Sequence, residues 1–127
     1  MNEIESTIKP QILYVEDQED AANLVVAILK KDFDVSIAES VEQALEKLKS
    51  EKFNLILMDI ALHSKFDGLD LIGKLKSDEL YKNIPIIALT AHAMHRDKEK
   101  MMDGGADDYI SKPFNKANLI EKIKNLL

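Results

Sequence analysis

Cysteine is absent from this 127-residue chain, and with it go the disulfide framework, the thiolate nucleophile and the zinc ribbon. Arginine is almost absent as well: Arg96 is the single planar, bidentate donor, and every other basic residue apart from histidine is a lysine. With a formal net charge of -6 and a pI near 5.1, that scarcity argues against a nucleic-acid-binding surface, because phosphate affinity comes from clustered cationic side chains. No apolar run approaches the ~18 residues of a membrane-spanning helix, and Met1 to Lys9 lack the apolar core of a signal peptide. Internal repeats, linkers and low-complexity segments are missing too. The expectation is a cytoplasmic protein with neither nucleic acid nor membrane as a partner.

What is present is enough apolar material, 46% of the chain, for one compact domain over residues 10–127 behind a short tail at 1–9. Gln11 to Val15 is an apolar, β-branched run cut off by Glu16-Asp17 and reads as a buried strand. Ala21, Val25, Ile28 and Leu29 follow with helical spacing behind Asp20, predicting a helix over 21–29. Asp34 to Ala38 alternates as a strand does. Ser40-Val41-Glu42-Gln43 then has the form of a capping box, ahead of a stripe of Val41, Ala44, Leu45 and Leu48. Phe53 to Asp59 is a strand apolar on both faces that stops at a carboxylate, and Leu69, Ile72 and Leu75 mark a third helix. Pro85 to Leu89 is a further buried strand continuing into Thr90-Ala91. Residues 93–102 form the least amphipathic helix, anchored by Met94, Met101 and Met102 and stopped by Gly104-Gly105. Asp107 to Ser111 is the last strand, ended by Lys112-Pro113, and Leu119, Ile120, Ile123, Leu126 and Leu127 belong to a last helix. Five strand and helix pairs in alternation predict an α/β fold of parallel strands, joined by right-handed crossovers and covered by helices on both faces.

In an open parallel sheet ligands sit beyond the carboxyl ends of the strands. Those ends carry Glu16-Asp17, Asp59, Thr90 and Lys112. Singly, each has a bland reading: an acid there is a solvated cap, a threonine is packing, a lysine before proline is surface charge. Jointly, three carboxylates, a hydroxyl and an ammonium at one edge point to a site for a divalent cation and a phosphate, since hard oxygen ligands suit Mg²⁺. Without a cation the acids repel one another. Neither a P-loop nor G-x-G-x-x-G follows the first strand, which leaves nucleotide-binding alternatives without support.

At these residues the chain resembles a response-regulator receiver domain of two-component and phosphorelay signalling. The resemblance is carried by Ile12-Leu13-Tyr14-Val15-Glu16-Asp17, Leu55-Ile56-Leu57-Met58-Asp59-Ile60, Asp67-Gly68, Ile86-Ile87-Ala88-Leu89-Thr90-Ala91 and the segment Gly105 to Phe114. It implies the doubly wound, flavodoxin-like fold of five parallel strands in the order 2-1-3-4-5 with five helices. It also implies roles: Asp59 as acceptor of a phosphoryl group from a histidine kinase or histidine phosphotransfer protein; Asp17, Glu16, Asp59 and the backbone carbonyl of Ala61 as holders of Mg²⁺; Lys112 as neutraliser of phosphoryl oxygens. Thr90 and Tyr109 would be the switch, reshaping the face of the fourth helix, fifth strand and fifth helix for a downstream protein target. A cis Lys112-Pro113 bond, and a monomer able to dimerise when phosphorylated, are expected on the same ground.

Two departures from the usual receiver pattern stand out. His63 replaces the proline that commonly follows the acceptor, and the path to Asp67-Gly68 is longer than the usual one by a single residue. Ala61 and His92 occupy the positions that help set phosphoryl lifetime; Ala61 has no polar group to orient water, so slow self-dephosphorylation is expected. Among competing readings, a pseudo-receiver without phosphorylation is disfavoured by the intact acids, Thr90 and Lys112. A haloacid-dehalogenase-type phosphatase lacks its second acid, because Ala61 stands two residues after Asp59. The chain is therefore expected to be a signalling domain and not a turnover enzyme, with no residues left over for an attached output domain.

Overall fold

Three apolar runs become the three central strands of one parallel sheet. A computed structural model describes residues 9–60, 68–90 and 95–127. Within them lie β1 (Gln11–Val15), α1 (Glu19–Leu29), β2 (Asp34–Ala38), α2 (Val41–Ser50), β3 (Leu55–Asp59), α3 (Gly68–Lys76), β4 (Ile86–Thr90), α4 (His95–Asp103), β5 (Asp108–Ser111) and α5 (Lys116–Leu126). The strand order is β2-β1-β3-β4-β5 and every pairing is parallel, as expected for this fold. Residues 1–8, with nearly all of the expected tail, and Ala61, His63, Asp67, Ala91, His92 and Met94 lie outside the described residues.

Strand periodicity explains the two cores. Successive side chains alternate between sheet faces, so Leu13, Val15, Ile56, Met58, Ile86 and Ala88 pack with Ala44, Leu48, Leu71, Ile72, Leu75 and Met101 from α2, α3 and α4. Ile12, Tyr14, Leu55, Leu57, Ile87 and Leu89 face the other way, onto Ala22, Val25, Leu29, Leu119 and Ile123 from α1 and α5. β3 and β4 are buried along their whole length, because helices cover both faces. Each fully buried Leu or Ile contributes about 1.5–3 kcal/mol relative to exposure, so this double layer makes a stiff base for the residues at the strand ends.

The helix ends show how local chemistry sets boundaries. Ser40 Oγ accepts from Gln43 N (3.1 Å), and Gln43 Oε1 reaches back to Glu39 N (2.9 Å), one residue beyond the usual capping-box partner. α1 starts at Glu19, two residues earlier than its apolar spacing predicts, since two acids in the first turn favour the helix dipole. α4 ends as anticipated at the glycine pair: Ala106 N donates to Met101 O and Gly105 N to Met102 O (both 3.1 Å), with Gly105 at φ +109°. Of the methionines expected to anchor this helix, Met101 is buried whereas Met102 is 41% exposed. The Lys112–Pro113 bond is cis.

Candidate functional site

The strand order reverses beside β1, and there the sheet delivers its acids. Val15 is in register with Met58, so the next residues along, Glu16 and Asp59, meet at the carboxyl edge. Glu16 N bonds Ala38 O (2.9 Å), Ile60 N bonds Leu89 O (3.1 Å) and Lys112 N bonds Thr90 O (2.7 Å), fastening each strand end to its neighbour. The outcome is that Glu16, Asp17 and Asp59 bring carboxylate oxygens within 4.8 Å of one another. Glu16, Asp59 and Thr90 are at most 5% exposed, and Asp17 is half-buried.

Lys112 is the counterweight. Its Nζ lies 3.0 Å from Glu16 Oε1 and 3.1 Å from Asp59 Oδ2. With all groups ionised, three carboxylates against one ammonium leave two negative charges in a site largely withdrawn from water. Burial, then proximity to Asp59, raises the Glu16 carboxyl above its ordinary value, against the opposing bonds from Lys112 and Tyr14. For Lys112 burial acts to lower the pKa, but the Glu16 hydrogen bond and the charges of Asp59 and Glu16 outweigh it and hold the ammonium above the usual lysine value. A small divalent cation matches this excess in charge, and its preference for hard oxygen donors matches the ligand set.

One participant escapes a reading by motif. Tyr14 is fully buried in the α1 and α5 layer, and its hydroxyl donates to Glu16 Oε1 at 2.9 Å. Burial foremost, then the Glu16 and Asp59 charges, pushes its pKa well above the tyrosine range. The available signal is slight: an aromatic hydroxyl in an otherwise aliphatic strand, two residues before an acid and hence on the same face.

Gly68 has a steric role in the same place. A Cβ there would collide with Asp59 O and lie 2.7 Å from Ile60 Cα. The first turn of α3 therefore rests directly on the backbone of Asp59, which accounts for glycine at this position.

Tyr109 sits apart, on β5 in register with Ala88. Its half-buried ring packs at the border of the α2–α4 core, with Lys98 Nζ of α4 5.5 Å and Lys122 Nζ of α5 5.6 Å from its centroid. Lys122 also pairs with Asp108 at 3.2 Å. Thus the ring bridges the two helices that flank β5. The Ala61 carbonyl, expected to complete the cation site, lies outside the described residues.

Comparison with known proteins follows the same lines. Residues 12–124 match the sequence profile of the family described as the response regulator receiver domain. Over 117 residues the chain is 37% identical to the polar-differentiation response regulator DivK of Brucella ovis, covering 91% of this chain and 94% of DivK. It is 40% identical over 124 residues to hybrid signal transduction histidine kinase I of Dictyostelium discoideum, covering 91% of this chain but 7% of the kinase. The chain thus spans a small fraction of such kinases and nearly all of DivK. Among solved structures, the receiver domain of the sensor histidine kinase PA1611 from Pseudomonas aeruginosa PAO1, with magnesium coordinated in its active-site cleft, matches with a TM-score of 0.84 at 30% identity. That match covers 94% of this chain and 98% of the other.

Proposed function

Because this chain belongs to the response regulator receiver domain family, we propose that it is a phosphoacceptor switch in which Asp59 takes a phosphoryl group from a phosphohistidine. The donor is a histidine kinase or a histidine phosphotransfer protein. An Asp59 carboxylate oxygen attacks phosphorus, the P–N bond breaks as the O–P bond forms, and the imidazole nitrogen leaves with the electron pair and is protonated. Catalysis of such a transfer consists mainly of positioning and charge stabilisation. Lys112 meets the phosphoryl oxygens from its place 3.1 Å from Asp59. Asp17 would hold Mg²⁺ directly, Glu16 mainly through water, and Asp59 and the Ala61 carbonyl would complete the protein ligands. When bound, the cation neutralises the acids and the developing charge on the transferred group.

Thr90 and Tyr109 are the read-out in this proposal. Thr90 stands at the end of β4 beside Asp59, and Tyr109 connects β5 to α4 and α5. The hydroxyl moves toward the new phosphoryl oxygen, the ring repacks, and the α4-β5-α5 face changes its affinity for a protein target. Breaking two partly exposed cation–π contacts costs about 1–2 kcal/mol in all, within the 1–3 kcal/mol typical of coupling between sites.

The observation that carries the reading is the three-acid cluster with the Lys112 ammonium bonded to two of its members. Incubation with acetyl phosphate and Mg²⁺, read by intact mass, should add one phosphoryl group to the wild type and none to Asp59→Asn. An unmodified wild type, or equal labelling of Asp59→Asn, would overturn it.

A further inference from the structure

β1 has no packing need for a hydroxyl. The α1 and α5 layer around it is aliphatic apart from Phe33 and the half-buried Phe114, and a buried hydroxyl is costly unless it is bonded. Tyr14 meets that requirement at the site itself. Glu16 Oε1 accepts Tyr14 Oη at 2.9 Å and Lys112 Nζ at 3.0 Å, so fixed donors take both of that oxygen's lone-pair directions. Oε2 accepts the longer bond from Gln18 N, at 3.3 Å. Tyr14 is fully buried and rigidly packed, which fixes its hydroxyl in space.

We propose that Tyr14 is a positioning residue for the cation site: its hydroxyl locks the rotation of the Glu16 carboxylate, so that Oε1 anchors Lys112 and Oε2 is turned to the cation's coordination sphere. A carboxylate held in this way does not chelate with both oxygens, and Lys112 stays beside Asp59. The inference rests on the phosphoacceptor reading above and extends it to a residue outside the acidic cluster and its lysine.

Tyr14→Phe removes the hydroxyl and keeps the ring. Isothermal titration with Mg²⁺ should show affinity weakened by about tenfold, the low end of what outer partners of metal ligands contribute. In acetyl phosphate labelling, the Mg²⁺ concentration for half-maximal rate should rise by a similar factor, while the rate at saturating Mg²⁺ stays within about twofold of wild type. In a Glu16→Ala background the same substitution should leave Mg²⁺ affinity unchanged. Leu29→Ala, in the same core layer but far from the edge, should lower the unfolding midpoint without altering Mg²⁺ affinity. Wild-type Mg²⁺ affinity in Tyr14→Phe, or an equal loss in Leu29→Ala, would overturn the positioning role and leave the phosphoacceptor reading standing. A wild type that neither binds Mg²⁺ nor gains a phosphoryl group would overturn both.

Discussion

Two lysines, Lys112 and Lys76, face acids at opposite edges of the same sheet, and they do different things. At the amino ends of β4 and β5, Lys76 Nζ bonds Asp107 Oδ2 (2.7 Å) and the carbonyls of Ile84 (3.1 Å) and Lys82 (3.3 Å). The same Asp107 oxygen accepts Ile86 N (2.8 Å), and Gly105 leaves room for the lysine stem, where a Cβ would lie 2.9 Å from Lys76 Cγ. One ammonium, one carboxylate and neutral dipoles close this edge electrically. At the carboxyl ends Lys112 meets three acids and the balance stays negative. Equal chemistry at the level of a single ion pair thus yields a clasp in one place and a ligand site in the other, and the local charge sum distinguishes them.

Removing each lysine should break the symmetry of that comparison most visibly. In metal-free urea unfolding, Lys112→Ala should cost about 2 kcal/mol, because buried acids lose their compensating charge. Lys76→Ala should cost about 1 kcal/mol, since its partners reach water more easily. Millimolar Mg²⁺ should recover much of the first loss and none of the second. A smaller effect, but opposite in sign between the edges, is expected from neutralising one acid. Asp59→Asn should raise metal-free stability by about 1 kcal/mol by relieving like-charge repulsion, whereas Asp107→Asn should lower it by about 0.5–1 kcal/mol. Changes of the same sign would show that the carboxyl edge is no more strained than the clasp.

The smallest effect is a pH dependence. The Glu16 carboxyl is raised above its ordinary value of 4.5 in the folded protein, chiefly by burial. Its favourable protonated state is therefore fully populated below the unfolded pKa, and that stability is lost as pH rises through the folded one. The stability of Glu16→Gln relative to wild type, taken from thermal unfolding without metal, should shift in the variant's favour as pH climbs from about 4.5 toward neutrality. A flat difference would remove Glu16 as the group responsible.

Much of the architecture was legible because burial on both faces writes β3 and β4 as unbroken apolar runs and the amphipathic helices as stripes. The acids were legible as a group because parallel strands all end at one edge, so Glu16, Asp17, Asp59 and Lys112 meet without any fine geometry being known. What escaped depends on partners distant in sequence. Lys76, in the last turn of a helix, reads as solvated charge, and Asp107 reads as the start of a strand. Asp107 stands just before β5, where its side chain and backbone fasten Ile86. Tyr14 reads as one more buried strand residue until its hydroxyl is placed. Ala61 and His92, on which the expected phosphoryl lifetime turns, lie outside the described residues.

Gly68 carries a consequence for the main chain of the acceptor. A side chain at this position would meet the Asp59 carbonyl and Ile60 Cα, backbone atoms that cannot rotate away. Even alanine there would have to push the first turn of α3 off the strand end or shift the acceptor's peptide, so position 68 reaches the nucleophile through its backbone without touching its carboxylate.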